Sequence, residues 1–162
     1  MIGSSKKIKG GQPCVCFSEA PLINLKSGLV NENYYSKYSP FGFLFNKIYI
    51  YSLGGRPVIY QPDTEYYWLP EAMQWRHGRY EPHLERPIDF AWEREWRLPT
   101  NKLNIHPSYT HLVLPDQSWV NRLHRDHHFD EMNKIQQYSL IFRTEIAHQY
   151  FEQFHWHIWT LS

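Results

Sequence analysis

The residues with most to offer chemistry lie together in the run Trp92-Glu-Arg-Glu-Trp-Arg97. On an extended strand Glu93, Glu95 and Arg97 share one face, and Trp92, Arg94 and Trp96 share the other. Two carboxylates beside a guanidinium form a charged site, because the guanidinium keeps them ionised. The same pattern describes an exposed edge strand laced with alternating ion pairs, which contribute little energy. The residues alone do not separate these two readings.

Three further clusters carry reactive or polar groups. Cys14-Val-Cys-Phe-Ser-Glu19 brings two thiols and a Ser18-Glu19 pair to a strand end; Ser18 or Glu19 also suits a cap on the helix expected after Pro21. Thiols one residue apart would close a strained disulfide ring, so both are read as free. Tyr38-Ser-Pro-Phe-Gly42 places a tyrosine where a ring can stack or donate a hydrogen bond. His124 and His128 are four residues apart, a helical spacing that fits a shared metal. The zincin glutamate is missing between them, and histidines near a helix C-terminus are also favoured by its dipole. No metal site is therefore assigned. The chain has neither a glycine-rich phosphate loop nor a GxSxG elbow.

Composition bounds what these groups can serve. At 162 residues the chain fits one domain, 1–162, with residues 1–12 as a flexible start. A net charge of +1 excludes a polybasic nucleic-acid binder by charge count. No run of 18 apolar residues and no signal-peptide core occur, so the expected place is the cytoplasm, with no membrane contact. Aromatics make up 17% of the chain, and most of these rings are expected in the core.

The elements that must position these groups follow from patterning. Residues 13–18 alternate into a strand with Val15 and Phe17 on one face. A turn and a short helix ending near Gly28 follow, then a tyrosine-rich loop over 31–40. Residues 41–51 and 56–61 read as two strands of a hairpin about Gly54-Gly55. Residues 62–87 form a long proline-punctuated excursion, helical in part near 69–75, of the kind that often carries function. Strands are expected over 90–98, 109–114 and 138–142. Asp116 is a good N-cap for a helix bearing Trp119, Val120 and Leu123. Thr144 is a candidate cap for a last helix striped by Ile146, Ala147, Tyr150, Phe151 and Phe154. The fold class is α+β, an antiparallel sheet with flanking helices.

In order and spacing over residues 13–98, Cys16-Phe-Ser-Glu-Ala-Pro-Leu22, Tyr38-Ser-Pro-Phe-Gly42, Gly54-Gly-Arg-Pro-Val-Ile-Tyr60 and Ile88-Asp-Phe-Ala-Trp-Glu-Arg-Glu-Trp-Arg97 resemble the AbiGi-like family of abortive phage infection. That family is in turn distantly similar to ADP-ribosyltransferases. The resemblance implies a split antiparallel sheet that holds NAD, with a glutamate on a late strand. Glu95 matches that glutamate, with Glu93 as the alternative, and Tyr38 matches the ring that stacks on nicotinamide. A carboxylate bound to the ribose hydroxyl would stabilise an oxocarbenium-like transition state more than the ground state. Arg56, Arg76, Arg79 and Arg97 are candidates to hold the pyrophosphate bidentately, Arg56 and Arg97 foremost.

Two readings follow. The first is a phage-defence ADP-ribosyltransferase, passing ADP-ribose from NAD to a nucleic-acid or protein acceptor. The alternative is a non-catalytic binding module of a defence system, either an antitoxin or a sensor of a phage protein, working with a partner chain. Such transferases usually open with a strand whose His or Arg grips NAD, whereas here only 13 residues precede Cys14-Val-Cys-Phe. Trp68, Trp75, Tyr80, Arg76 and Arg79 give the 62–87 excursion the composition of an interface hot spot.

Overall fold

The structure, a computed structural model, describes residues 1–23 and 39–162. The chain is α+β and divides into two compact units, residues 1–39 with 45–109, and residues 40–44 with 110–162. Among the described residues no helix is long and apolar enough to cross a membrane.

The first unit is built on an antiparallel sheet ordered β1-β6-β3. Strand β1 spans Cys14–Ser18, β3 spans Arg56–Pro57 and β6 spans Glu95–Pro99. The pairing of β1 with β6 sets Val15 opposite Leu98, Cys16 opposite Arg97, and Ser18 opposite Glu95. Alternation then sorts the two faces. Val15 and Leu98 join Ile50 and Leu103 in a buried core, flanked by Phe17, Phe45, Tyr49 and Trp96. Burying each such aliphatic side chain stabilises the unit by about 1.5–3 kcal/mol. Cys16, Glu95 and Arg97 project to the other face.

Residues 41–61 do not form the expected hairpin. Strand β2 spans only Gly42–Phe45, and helix α1 follows at Lys47–Ser52. The switch is made at Asn46, whose side chain accepts the backbone N–H groups of Ile48 and Tyr49 and so caps the helix. Gly54 ends the helix with φ of 99°, a conformation that suits glycine. Gly55 packs so closely on Ile50 that a Cβ there would sit 2.5 Å from its Cγ2. The returning segment splits: β3 pairs with β6, and β4 (Ile59–Gln61) pairs in parallel with β5 (His77–Arg79).

The excursion between β4 and β5 folds as two 3₁₀ turns, Asp63–Trp68 and Glu71–Arg76. The expected strand over 90–98 is shorter at its start, because Ala91–Glu93 is a 3₁₀ turn and Arg94 adopts φ of 46°. The opening residues, expected to fray, are tied down. The terminal ammonium donates to the Leu103 carbonyl at 2.7 Å, Ile2 and Ser4 bridge to Lys102 and Cys14, and Ile8 is buried. Leu22 and Ile23 are helical, as expected after Pro21; the rest of that helix and most of the tyrosine-rich loop lie outside the described residues.

The second unit holds a sheet ordered β2-β7-β8, with β7 at Thr110–Leu114 and β8 at Ile158–Thr160. Asp116 caps helix α2, Gln117–Ser139, accepting from the N–H groups of Ser118 and Trp119. This helix runs through Tyr138, so the strand expected at 138–142 is absent. Its polar length hides the helical period: only Glu131 and Ile135 are buried. Helix α3, Thr144–Ala147, is a single turn; Arg143 holds the cap position and Thr144 is the first helical residue.

Candidate functional site

The face of the β1-β6-β3 sheet opposite the core carries the predicted chemistry. Its centre is Arg97, which is 6% exposed. Its Nε donates to Glu95 Oε1 at 2.9 Å and its Nη2 to Glu95 Oε2 at 3.2 Å. Its Nη1 donates to the carbonyls of Trp75 and His77, both at 2.8 Å. Burial opposes the charge on Arg97, but the hydrogen bonds and charge of Glu95 outweigh it and hold the guanidinium above its ordinary range. Both carboxylate oxygens of Glu95 are therefore engaged, and its own N–H donates to Tyr60 Oη at 3.0 Å. Burial chiefly raises the Tyr60 hydroxyl above its usual value, against that hydrogen bond.

This geometry separates the two predicted carboxylates. Glu95 stands on β6 beside Arg97, while Glu93 lies in the preceding 3₁₀ turn and its carbonyl accepts the Ser18 hydroxyl at 2.7 Å. The two do not share a strand face, because the left-handed Arg94 between them breaks the alternation. Arg97, expected to grip a pyrophosphate, instead ties β6 to the 75–77 segment. Arg56 is on β3, directly across from Arg97. Arg79 bonds Glu81 and lies 3.8 Å from Asp63. Tyr38 lies outside the described residues.

Cys16 sits beside this ion pair. The residue is exposed, yet protein packed around its thiol, together with the Glu95 carboxylate, pushes the thiol up to about 12. Cys14 is buried, and desolvation raises its thiol too, with Arg97 opposing.

Glu19 is a tie that the sequence reading did not find. It accepts Lys47 Nζ at 2.6 Å and Trp96 Nε1 at 3.0 Å, and Arg94 approaches at 3.5 Å. Lys47, the strongest of these, holds the Glu19 carboxyl below its ordinary range. Ser18 accepts the Ala20 N–H at 3.1 Å, as a turn residue does. The only sequence signal for Glu19 was its place at the end of β1.

The 62–87 excursion is anchored from below and presents aromatics outward. Tyr66 donates to Gln74 Oε1 at 2.8 Å, lies under Lys9 Nζ at 4.9 Å, and meets His77 edge-on at 5.4 Å. Its neighbours Tyr67 and Trp68 are 83% and 76% exposed. Trp75 is half-buried and bonds the Ala72 carbonyl at 2.9 Å. The histidines of α2 pack on rings: His124 and His127 lie 4.6 and 5.4 Å from Phe154, and His127 also bonds the Glu152 carbonyl.

No protein-family model, curated protein or solved structure matches this chain.

Proposed function

We propose that this chain is a non-catalytic recognition module of a phage-defence system, acting in the cytoplasm on a partner protein through the Tyr67-Trp68 turn. The observation that carries the reading is the pairing of an engaged Glu95 with an exposed, anchored aromatic turn. A transferase needs the Glu95 carboxylate at a ribose hydroxyl. Here both its oxygens are committed to a buried arginine, and separating such a pair costs several kcal/mol. Adjacent Tyr and Trp on a turn whose third ring is fixed lose little entropy on binding, as interface anchors do. A protein partner suits this surface better than nucleic acid, because a net charge of +1 supplies no extended cationic field. In this reading the antiparallel β1-β6-β3 sheet serves as a scaffold, and NAD is not turned over.

The test has two arms. Purified protein incubated with NAD should release no nicotinamide by mass spectrometry; release that disappears in Glu95→Gln would restore the transferase reading. A photoreactive residue in place of Tyr67 should give one discrete protein adduct in the host, lost when Trp68→Ala is added. The same probe at Leu140, 86% exposed in the second unit, should give none. Equal labelling from both positions counts against the turn as an interface.

A further inference from the structure

Strand β3 brings an unbalanced positive charge to the sheet face just described. Arg56 pairs across the strands with Arg97, and cross-strand partners project to the same face, where like charges repel. Arg97 is neutralised by Glu95, whose two oxygens are both used in doing so. Arg56 has no such partner. Its Nη1 donates to the Tyr51 and Gly55 carbonyls at 3.0 and 2.7 Å, and its guanidinium lies 4.0 Å over the Tyr51 ring.

A second arginine is delivered to the neighbouring residue. Arg76, at the end of the second 3₁₀ turn, donates from Nε to the Pro57 carbonyl at 3.0 Å. Burial, and then the charge of Arg56, weaken the hold of Arg76 on its proton. Among the described residues neither arginine makes an ion pair with a carboxylate. Each head is fixed by backbone carbonyls on one side. That leaves Nε and Nη2 of Arg56 and both terminal nitrogens of Arg76 for a ligand.

We propose that Arg56 and Arg76 form a binding site for a phosphomonoester dianion, such as the terminal phosphate of a mononucleotide. Two fixed guanidinium forks match a tetrahedral oxyanion, and its charge of about −2 offsets theirs. Its neighbours Arg97 and Arg79 are already paired with Glu95 and Glu81. The unpaired charge there is that of two arginines, which one phosphate dianion offsets and an extended polyanionic backbone would exceed. The inference does not depend on the partner-recognition reading, since it concerns β3 and not the Tyr67-Trp68 turn.

Calorimetry with AMP, inorganic phosphate and NAD tests the site. AMP and phosphate should bind, and affinity for AMP should rise as pH passes upward through about 6, where the phosphate gains its second charge. Arg56→Gln and Arg76→Gln should each weaken AMP binding about tenfold or more, the loss of one charge-assisted contact. Arg79→Gln removes the same charge from a paired arginine and should bind as the wild type does. Arg76→Lys keeps the charge without the fork and should fall between, which guards against misfolding in the glutamine variants. No binding of AMP, or AMP binding as tight as the wild type's in both glutamine variants, overturns the proposal. So does tighter binding of NAD, whose two phosphates are joined in a pyrophosphate and carry one negative charge each, than of AMP.

Discussion

Removing the Glu95 carboxylate tests whether it is a structural tie. In Glu95→Gln the amide keeps one acceptor oxygen for Arg97 but loses the charge and the second acceptor. The Arg97 and Glu95 side chains are 7% and 16% exposed, so water replaces the lost partner poorly. Deleting one member of a buried pair costs about 3–5 kcal/mol. Arg97 retains two carbonyl acceptors, at Trp75 and His77, and the glutamine oxygen retains another. We therefore expect a loss of about 2–3 kcal/mol, or a fall in Tm of about 4–12 °C for a chain of this length. Urea and thermal melts of wild type, Glu95→Gln and the double variant Glu95→Leu/Arg97→Met measure it. The double variant should recover part of the loss, because no buried charge is left unpaired. A Glu95→Gln protein that melts with the wild type would refute the tie. If it also lost an activity, Glu95 would be a functional carboxylate and not a structural one.

Four further outcomes are expected. Gly78→Ala should destabilise by about 1–3 kcal/mol in a urea melt, because its Cβ would lie 2.4 Å from Val58 Cγ1 and 3.1 Å from the Tyr60 ring. Asn46→Ala should cost about 1 kcal/mol, read in the same melt, by leaving the Ile48 and Tyr49 N–H groups without their cap. Burial holds the His77 pKa below its ordinary value, so the unfolded chain takes up that proton first as pH falls through about 6.5; stability should drop as pH goes from 7 to 5, and His77→Gln should flatten that part of the Tm profile. At pH 8 a thiol raised to about 12 is almost wholly protonated, so Cys16, although exposed, should alkylate with iodoacetamide roughly a hundredfold more slowly than an ordinary cysteine, and Glu95→Gln should speed the reaction.

Local chemistry was legible in the sequence at the first strand and at the start of the long helix. The β1 alternation placed Val15 and Phe17 against the core, and Asp116 marked the start of α2. The aromatic run at 41–51 misled because strand and helix periods both fit a stretch so rich in apolar residues. The deciding residue was Asn46, a polar interruption whose meaning as a cap depends on the two N–H groups after it. Helix α2 was cut short in the reading because a helix that buries only Glu131 and Ile135 carries almost no apolar stripe.

The site was harder to read, for a reason that lies in its construction. Glu95 and Arg97 are two residues apart, so their pairing is visible in the sequence as a strand-face neighbour. What turns that neighbour into a lock is the pair of carbonyls at Trp75 and His77, 22 and 20 residues away. Backbone acceptors carry no residue signature, and only the β4-β5 pairing brings them over β6. The same pairing carries Arg76 to Pro57. A single tertiary event, the return of the excursion onto the sheet, thus locks Arg97 with two carbonyls and brings Arg76 to β3 beside Arg56. If that return were undone, both effects should vanish together. Gly78→Ala, which crowds β5 against Val58 and Tyr60, should therefore lower AMP affinity as well as stability, and a variant that lost stability alone would separate the lock from the anion site.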